Sequence, residues 1–320
     1  MDYIFTVRRT SKGAFTAEPG RTHFLEVPES ATDISPDQAI SRGSKKIPDS
    51  WARKIMVEAR SGKNPVTGQP RGDIVIYVHG FNTPTKVMLE RHRKLQAGLK
   101  KHGFEGCVIS FDWPSASMAL NYLEDRSDAK STARYLVDVG IAGFADRQTQ
   151  ECEINLHIIA HSMGAFVVRE AFDDADDRPG IAAKSWSVSQ VLLLSGDVSA
   201  GSLEAGNPKS SSLYRHCVRL TNYHNPFDGA LSLSNVKRVG VAPRAGRVGI
   251  RSPEPSNAVN VDCGPHFKAR KASFEDIPNA SHTWYFFDDT FMKDAAATIQ
   301  GDVDRKMIET RRVEGDKLYL

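Results

Sequence analysis

A chain of 320 residues is long enough to bury one large α/β core or two small ones. Its formal net charge of +3, with 25% charged and 40% hydrophobic residues, is too small and too dispersed for a nucleic-acid partner, and Lys45-Lys46 and Arg311-Arg312 read as solvated surface. No apolar stretch approaches the roughly 18 residues of a membrane span.

The first 70 residues read as a polar, loop-rich N-terminal extension packed on a main domain of residues 71–320. Met1-Asp2-Tyr3-Ile4-Phe5-Thr6-Val7-Arg8 alternates like a strand. As a secretory signal its apolar stretch is too short, an acid sits at position 2 and no small-residue cleavage site follows, so a cytoplasmic location is expected. Residues 3–8 and 22–27 predict short strands, residues 50–60 a short helix capped by Ser50, and residues 63–72, rich in Pro and Gly, a loop.

From Asp73 the rhythm changes. Ile74-Val75-Ile76-Tyr77-Val78, Val108-Ile109-Ser110-Phe111, Ile154-Asn155-Leu156-His157-Ile158-Ile159-Ala160, Val191-Leu192-Leu193-Leu194, Cys217-Val218-Arg219-Leu220 and Val259-Asn260-Val261 are short, nearly continuous apolar runs. Such runs suit strands covered on both faces. Helix-compatible segments at 86–102, 128–143, 164–174 and 290–300 separate several of them. The alternation predicts an α/β fold, a doubly wound and mostly parallel sheet with helices on both faces. In such sheets the ligand site lies at the carboxyl ends of the strands. Residues 198–215 are too few for an independent lid domain, so a fairly open site is expected.

The run ending at Ala160 continues Ala160-His161-Ser162-Met163-Gly164-Ala165 and then an apolar helical segment. Strand, sharp turn and helix here resemble the nucleophile elbow G-x-S-x-G, with Ala160 in place of the first glycine. Small residues flank such a serine because bulky ones would collide with the strand or the helix. A serine at this point could otherwise simply cap the next helix. The first strong run ends Tyr77-Val78-His79-Gly80-Phe81-Asn82. In a fold bearing such an elbow, an H-G pair after that strand occupies the second oxyanion-hole loop, and the backbone N–H groups of Phe81 and Met163 become the two donors. Gly80 allows close backbone approach; His79 reads as a residue that holds the loop.

The same resemblance orders the remaining members as Ser, then Asp or Glu, then His. Asp197 and Asp228 each follow a strand-like run, and His266 and His282 are the only histidines after Asp228. The favoured set is Ser162 as nucleophile, His282 as base and Asp228 as the acid that orients it. Aromatics at expected strand ends, Phe111, Trp113, Tyr223, Phe227 and Trp284, together with His79 and His161, are candidate pocket residues. Cys107, Cys152, Cys217 and Cys263 are too far apart in sequence for a metal knuckle or redox pair and read as buried free thiols. No metal-ligand spacing and no G-x-G-x-x-G occur, and acyl transfer through a serine needs no cofactor.

Over residues 70–290 the chain resembles the bacterial family of α/β-hydrolases of unknown function, DUF900. The resemblance rests on Val78-His79-Gly80-Phe81-Asn82, Ser110-Phe111-Asp112-Trp113-Pro114-Ser115, Ala160-His161-Ser162-Met163-Gly164, Asp228-Gly229-Ala230-Leu231 and Ser281-His282-Thr283-Trp284-Tyr285-Phe286. It implies the α/β-hydrolase fold, favours Asp228 over Asp197, and implies a hydrolase without fixing the substrate. Carboxylic ester cleavage on a small molecule is the leading expectation. A lactonase, thioesterase or amidase with the same triad, or a catalytically silent binding protein, are the alternatives. The oligomeric state, residues 1–70 and the basic segment 237–251 are covered by no motif.

Overall fold

In the computed structural model, residues 1–63, 68, 70–115, 122–147, 153–184, 186–236 and 242–320 are described. Every apolar run named above is a strand, and all join one sheet. The strands are β1 (Asp2–Ser11), β2 (Ala14–Val27), β3 (Ala39–Arg42), β4 (Arg60–Lys63), β5 (Pro70–Val78), β6 (Cys107–Asp112), β7 (Glu153–His161), β8 (Val188–Leu194), β9 (Cys217–His224), β10 (Ala258–Asp262), β11 (Arg312–Glu314) and β12 (Lys317–Tyr319). Their order is β11-β12-β10-β9-β8-β7-β5-β6-β1-β2-β3, with β4 beside β5. The run from β12 to β1 is parallel throughout. Antiparallel β11, β2, β3 and β4 border it.

The chain leaves β5 for β6 on one side and returns to β7 on the other, so the winding direction reverses between β5 and β7. Strand-end loops there diverge to opposite faces and open a crevice. The sequences Val78-His79-Gly80 and Ala160-His161-Ser162 end the two strands at this point, with Val78 paired to Ala160.

Alternation along β5 sends Ile74, Ile76 and Val78 to one face and Val75 and Tyr77 to the other. The first set packs with Ile158, Ala160, Val167 and Phe172, where the helix Gly164–Asp176 lies. The second packs with Ile159, Leu192, Leu95 and Phe291, under the helices Thr85–Lys101 and Asp289–Gln300. Both faces are covered, which is why these strands carry no polar alternation.

The N-terminal residues continue this sheet. Tyr3 and Phe5 of β1 pair with Ile109 and Phe111 of β6. The Phe5 ring stacks 4.9 Å from that of Phe111, and Trp51 donates its Nε1–H to Leu25 O at 3.0 Å. Trp51 lies on the helix Asp49–Glu58, whose N-cap is Pro48. Ser50, expected as the cap, sits inside the first turn, because a proline can open a helix without an N–H and Asp49 supplies the favourable negative charge.

The C-terminal strands β11 and β12 had no counterpart in the sequence reading; three residues each are too few for a period to show. β12 pairs with β10, and Arg311, just before β11, is buried rather than solvated as its sequence suggested: it reaches both oxygens of Asp294 at 2.7 and 2.9 Å and the Tyr223 hydroxyl at 2.9 Å. Among the described residues no helix is long and apolar enough to cross a membrane. Cys107, Cys217 and Cys263 are buried and unbridged, and burial pushes their thiols up, Cys217 to about 12. Cys152 and residues 237–241 of the basic segment lie outside the described residues.

Candidate active site

Ser162 has φ = 56°, a left-handed backbone that costs a non-glycine residue about 1–2 kcal/mol. The turn is held because Ser162 N–H donates to Leu194 O at 3.0 Å and Ser162 O accepts from Asp197 N–H at 2.8 Å. Small neighbours are a steric requirement here. A Cβ on Gly164 would lie 2.4 Å from Val78 O, and one on Gly80 would lie 2.7 Å from Ser162 Cβ. The ends of β5 and β7 therefore touch through glycines, and the His79–Phe81 loop lies directly against the serine. Met163 occupies the N-cap position of Gly164–Asp176, where a backbone N–H has no acceptor within its own helix.

Asp228 and His282 meet on the neighbouring loops. Asp228 is fully buried, and its Oδ2 lies 2.7 Å from His282 Nδ1 while its Oδ1 accepts from Leu231 N–H at 3.0 Å. One carboxylate thus orients the imidazole and caps the helix Gly229–Val236, which gives the D-x-A-L segment a physical reason. Two residues the sequence reading did not single out tie these loops together. Asn225 donates its Nδ2–H to Ser281 O at 2.8 Å, and Ser281 Oγ accepts from Gly229 N–H at 3.1 Å. Asp197 is occupied elsewhere, 3.1 Å from Arg244 Nε with both side chains buried, and His266 pairs with Asp288 at 3.0 Å.

His161 connects the two halves. Its Nε2–H donates to His282 O at 2.9 Å, and the two rings lie 4.6 Å apart. Among the described residues Ser162 Oγ makes no hydrogen bond, to His282 or to any other group. Burial, with the nearby His282 and Arg91 charges, holds the His161 imidazole well below its usual value of 6.5. His161 stays neutral when folded, whereas in the unfolded chain it binds a proton below about 6.5. The stability it contributes is complete above that pH and lost as the pH falls below it. We expect the urea midpoint to drop between pH 7 and 5, and His161→Gln to flatten that slope by up to one proton, about 1.4 kcal/mol per pH unit. Equal slopes in the two proteins would show that His161 is protonated in the fold.

His79 is a holding residue by its contacts. Its Nδ1 lies 2.9 Å from Gly80 O and its Nε2 3.0 Å from Asp112 Oδ1. Trp113 stacks on its ring at 5.3 Å and donates Nε1–H to His79 O at 2.8 Å. Ser115 Oγ accepts from Thr83 N–H at 3.0 Å. The segment from Asp112 to Ser115 therefore clamps the loop that follows β5. Burial alone would push the Asp112 carboxyl up, but Arg8, His79 and Thr6 together hold it below its usual value.

The expected pocket aromatics divide sharply. Phe227, beside Asp228, is 50% exposed. Phe111, Trp113, Tyr223 and Trp284 are wholly buried and cannot line an open pocket. Trp113 is taken by His79, and Trp284 packs among Phe267, Phe274, Tyr285 and Phe291. Their position at strand ends misled because the loops fold over them, and a large ring under a loop contributes more by burial than by exposure. Among the described residues no group of three His, Cys, Asp or Glu side chains is placed to hold a metal ion.

Solved structures similar to this chain include Aspergillus fumigatus lipase B, at 12% identity and a TM-score of 0.36 over 80% of this chain and 55% of that one. They also include a lipase-esterase related protein from Clostridium acetobutylicum (12%, TM-score 0.36, 72% and 94%) and Trichoderma reesei cutinase with a phosphonate inhibitor (14%, TM-score 0.32, 78% and 83%). An uncharacterized protein of Nostoc sp. is 24% identical over 216 residues, which cover 52% of this chain and 54% of that protein. The chain thus spans about half the length of that relative. The family described as alpha/beta hydrolase of unknown function (DUF900) matches residues 59–260, well over half of the chain, and to that family the chain belongs.

Proposed function

We propose that the protein is a serine hydrolase that cleaves carboxylic esters through Ser162, His282 and Asp228. The observation that carries this reading is the 2.7 Å contact between Asp228 Oδ2 and His282 Nδ1, on loops tied by His161 to the strained turn that bears Ser162. Ser162 Oγ attacks the ester carbonyl while its proton passes to His282 Nε2. The oxyanion that forms accepts hydrogen bonds from the N–H groups of Phe81 and Met163. Collapse breaks the bond to the alcohol, which leaves with the proton from His282, and water then releases the acid by the same steps in reverse. Asp228 holds the imidazole and compensates its positive charge.

A fluorophosphonate probe tests the reading. We expect stoichiometric labelling of Ser162, located by peptide mapping, together with turnover of p-nitrophenyl acetate. A folded protein that takes no label at Ser162 overturns it. Thioester, lactone and amide substrates run in parallel decide the bond preferred, because one acyl-enzyme serves all of them.

Phe227 and Ser281, the sequence neighbours of Asp228 and His282, line a cleft of about 670 Å³ whose apolar wall is Phe227, Phe267, Phe274 and Ala280 and whose rim carries Lys268, Lys271 and Glu275. That size suits the apolar part of a small substrate. Phe227→Ala is expected to raise KM for p-nitrophenyl octanoate roughly tenfold, since about half a phenyl ring's burial is lost, and to leave the acetate unchanged. Equal effects on both esters would place the acyl chain elsewhere.

A further inference from the structure

One side chain from the N-terminal strand reaches the oxyanion loop from behind. Arg8 of β1 sends its Nε–H to both oxygens of Asp112 at 3.0 and 2.9 Å, its Nη1 to Ser115 O at 3.1 Å and its Nη2 to Thr83 O at 3.3 Å. The guanidinium and the carboxylate are 3% and 0% exposed. Thr6, two residues earlier on β1, donates its hydroxyl to Asp112 Oδ2 at 2.6 Å. All of the partners lie at the carboxyl end of β6, on the loop after it, or on the loop after β5.

We propose that Arg8 is a positioning residue of the oxyanion hole, so that the N-terminal strand is part of the catalytic machinery. The inference rests on the serine-hydrolase reading above. The peptide N–H of Phe81 is bracketed from both sides by the same network. On one side His79 is fixed by Asp112, and Asp112 is fixed by Arg8 and Thr6. On the other, Thr83 is fixed by Ser115 through its N–H and by Arg8 through its carbonyl. Between these anchors Gly80 sits in contact with Ser162, where an added Cβ would come within 2.7 Å of the serine Cβ. The loop has no freedom to move toward the nucleophile, only away from it. Such a shift separates the Phe81 donor from the forming oxyanion without touching the bound ester. Arg8 reaches the carboxylate and the two carbonyls from three separate nitrogens, a spread that the three donors on one ammonium nitrogen do not reproduce.

The chosen variant is Arg8→Lys, which keeps the charge opposite Asp112 and loses the fork. We expect kcat for p-nitrophenyl acetate to fall about 10- to 100-fold, the scale of a misplaced or lost oxyanion donor. KM stays within about threefold, because ground-state binding is unchanged. A boronic acid that mimics the tetrahedral state should lose affinity in proportion to kcat/KM. If Arg8 only supports the fold, folded Arg8→Lys keeps the wild-type kcat below its melting temperature, and that result overturns the proposal. A second variant covers a failure of the first to fold. Arg8→Met with Asp112→Asn removes both charges, so no carboxylate is left buried without a partner. It is expected to show the same loss of kcat, and a folded double variant with wild-type kcat overturns the proposal equally. Failure of the underlying reading looks different, since the wild-type protein itself then takes no fluorophosphonate at Ser162.

Discussion

Replacing Ser162 by alanine is expected to lower ester turnover by about 10⁶-fold, the loss seen when the nucleophile of a serine triad is removed. Alanine meets the same left-handed backbone at φ = 56° as serine does, and the backbone bonds to Leu194 and Asp197 need no side chain. The melting temperature should therefore stay within a few degrees. Comparing kcat for purified, folded wild type and variant on one ester checks the expectation. A variant that keeps more than a few per cent of activity would place the nucleophile at another residue.

The second large effect concerns the acid. Asp228→Asn should reduce kcat by about 10⁴-fold, because an amide facing His282 Nδ1 stabilises the wrong tautomer and leaves the imidazolium uncompensated. Asparagine caps helices as well as aspartate does, so the bond to Leu231 N–H survives and stability should change little. Asp197→Asn is expected to behave in the opposite way. It strips the counter-charge from buried Arg244, which costs several kcal/mol in comparable buried pairs. Its activity should stay within about tenfold at a temperature where it remains folded. Reversed results, with Asp197→Asn silent and Asp228→Asn active, would make Asp197 the triad acid.

Much of the architecture could be read from local pattern. Strands covered on both faces announce themselves as apolar runs, so β5 to β10 follow from residues such as Ile74–Val78 and Val191–Leu194. The helices after β5, β6 and β7 follow from the segments between them, whereas Pro208–His216 and Gly229–Val236 were not expected as helices. The serine and its turn were legible for a related reason, since Gly80 and Gly164 are required wherever the ends of β5 and β7 touch. What stayed hidden depends on pairs far apart in sequence. Arg8 has no periodic signature, and its partner Asp112 is 104 residues away. Trp113 and Trp284 look like pocket aromatics until the loops are seen to close over them. Asn225 and Ser281 are ordinary loop residues by composition, and only the fold makes them a brace between the loops of Asp228 and His282.

The parallel pairing of β1 with β6 has a consequence for how the chain is made. Thr6 and Asp112 are 106 residues apart, so at ordinary synthesis rates roughly 5–20 s pass between the emergence of β1 from the ribosome and that of its partner. During that interval Tyr3, Ile4, Phe5 and Val7 can be sheltered only locally, and the antiparallel register from Asp2–Val27 to Ser11–Ala14 lets β1 and β2 close as a hairpin at once. The hairpin then waits for β6 and docks late, a long-range pairing of the kind that slows folding. Removing it from the gene would not trim a loose arm. It would leave β6, whose side chains are all buried in the sheet, as a bare edge strand, a ready template for pairing with another chain.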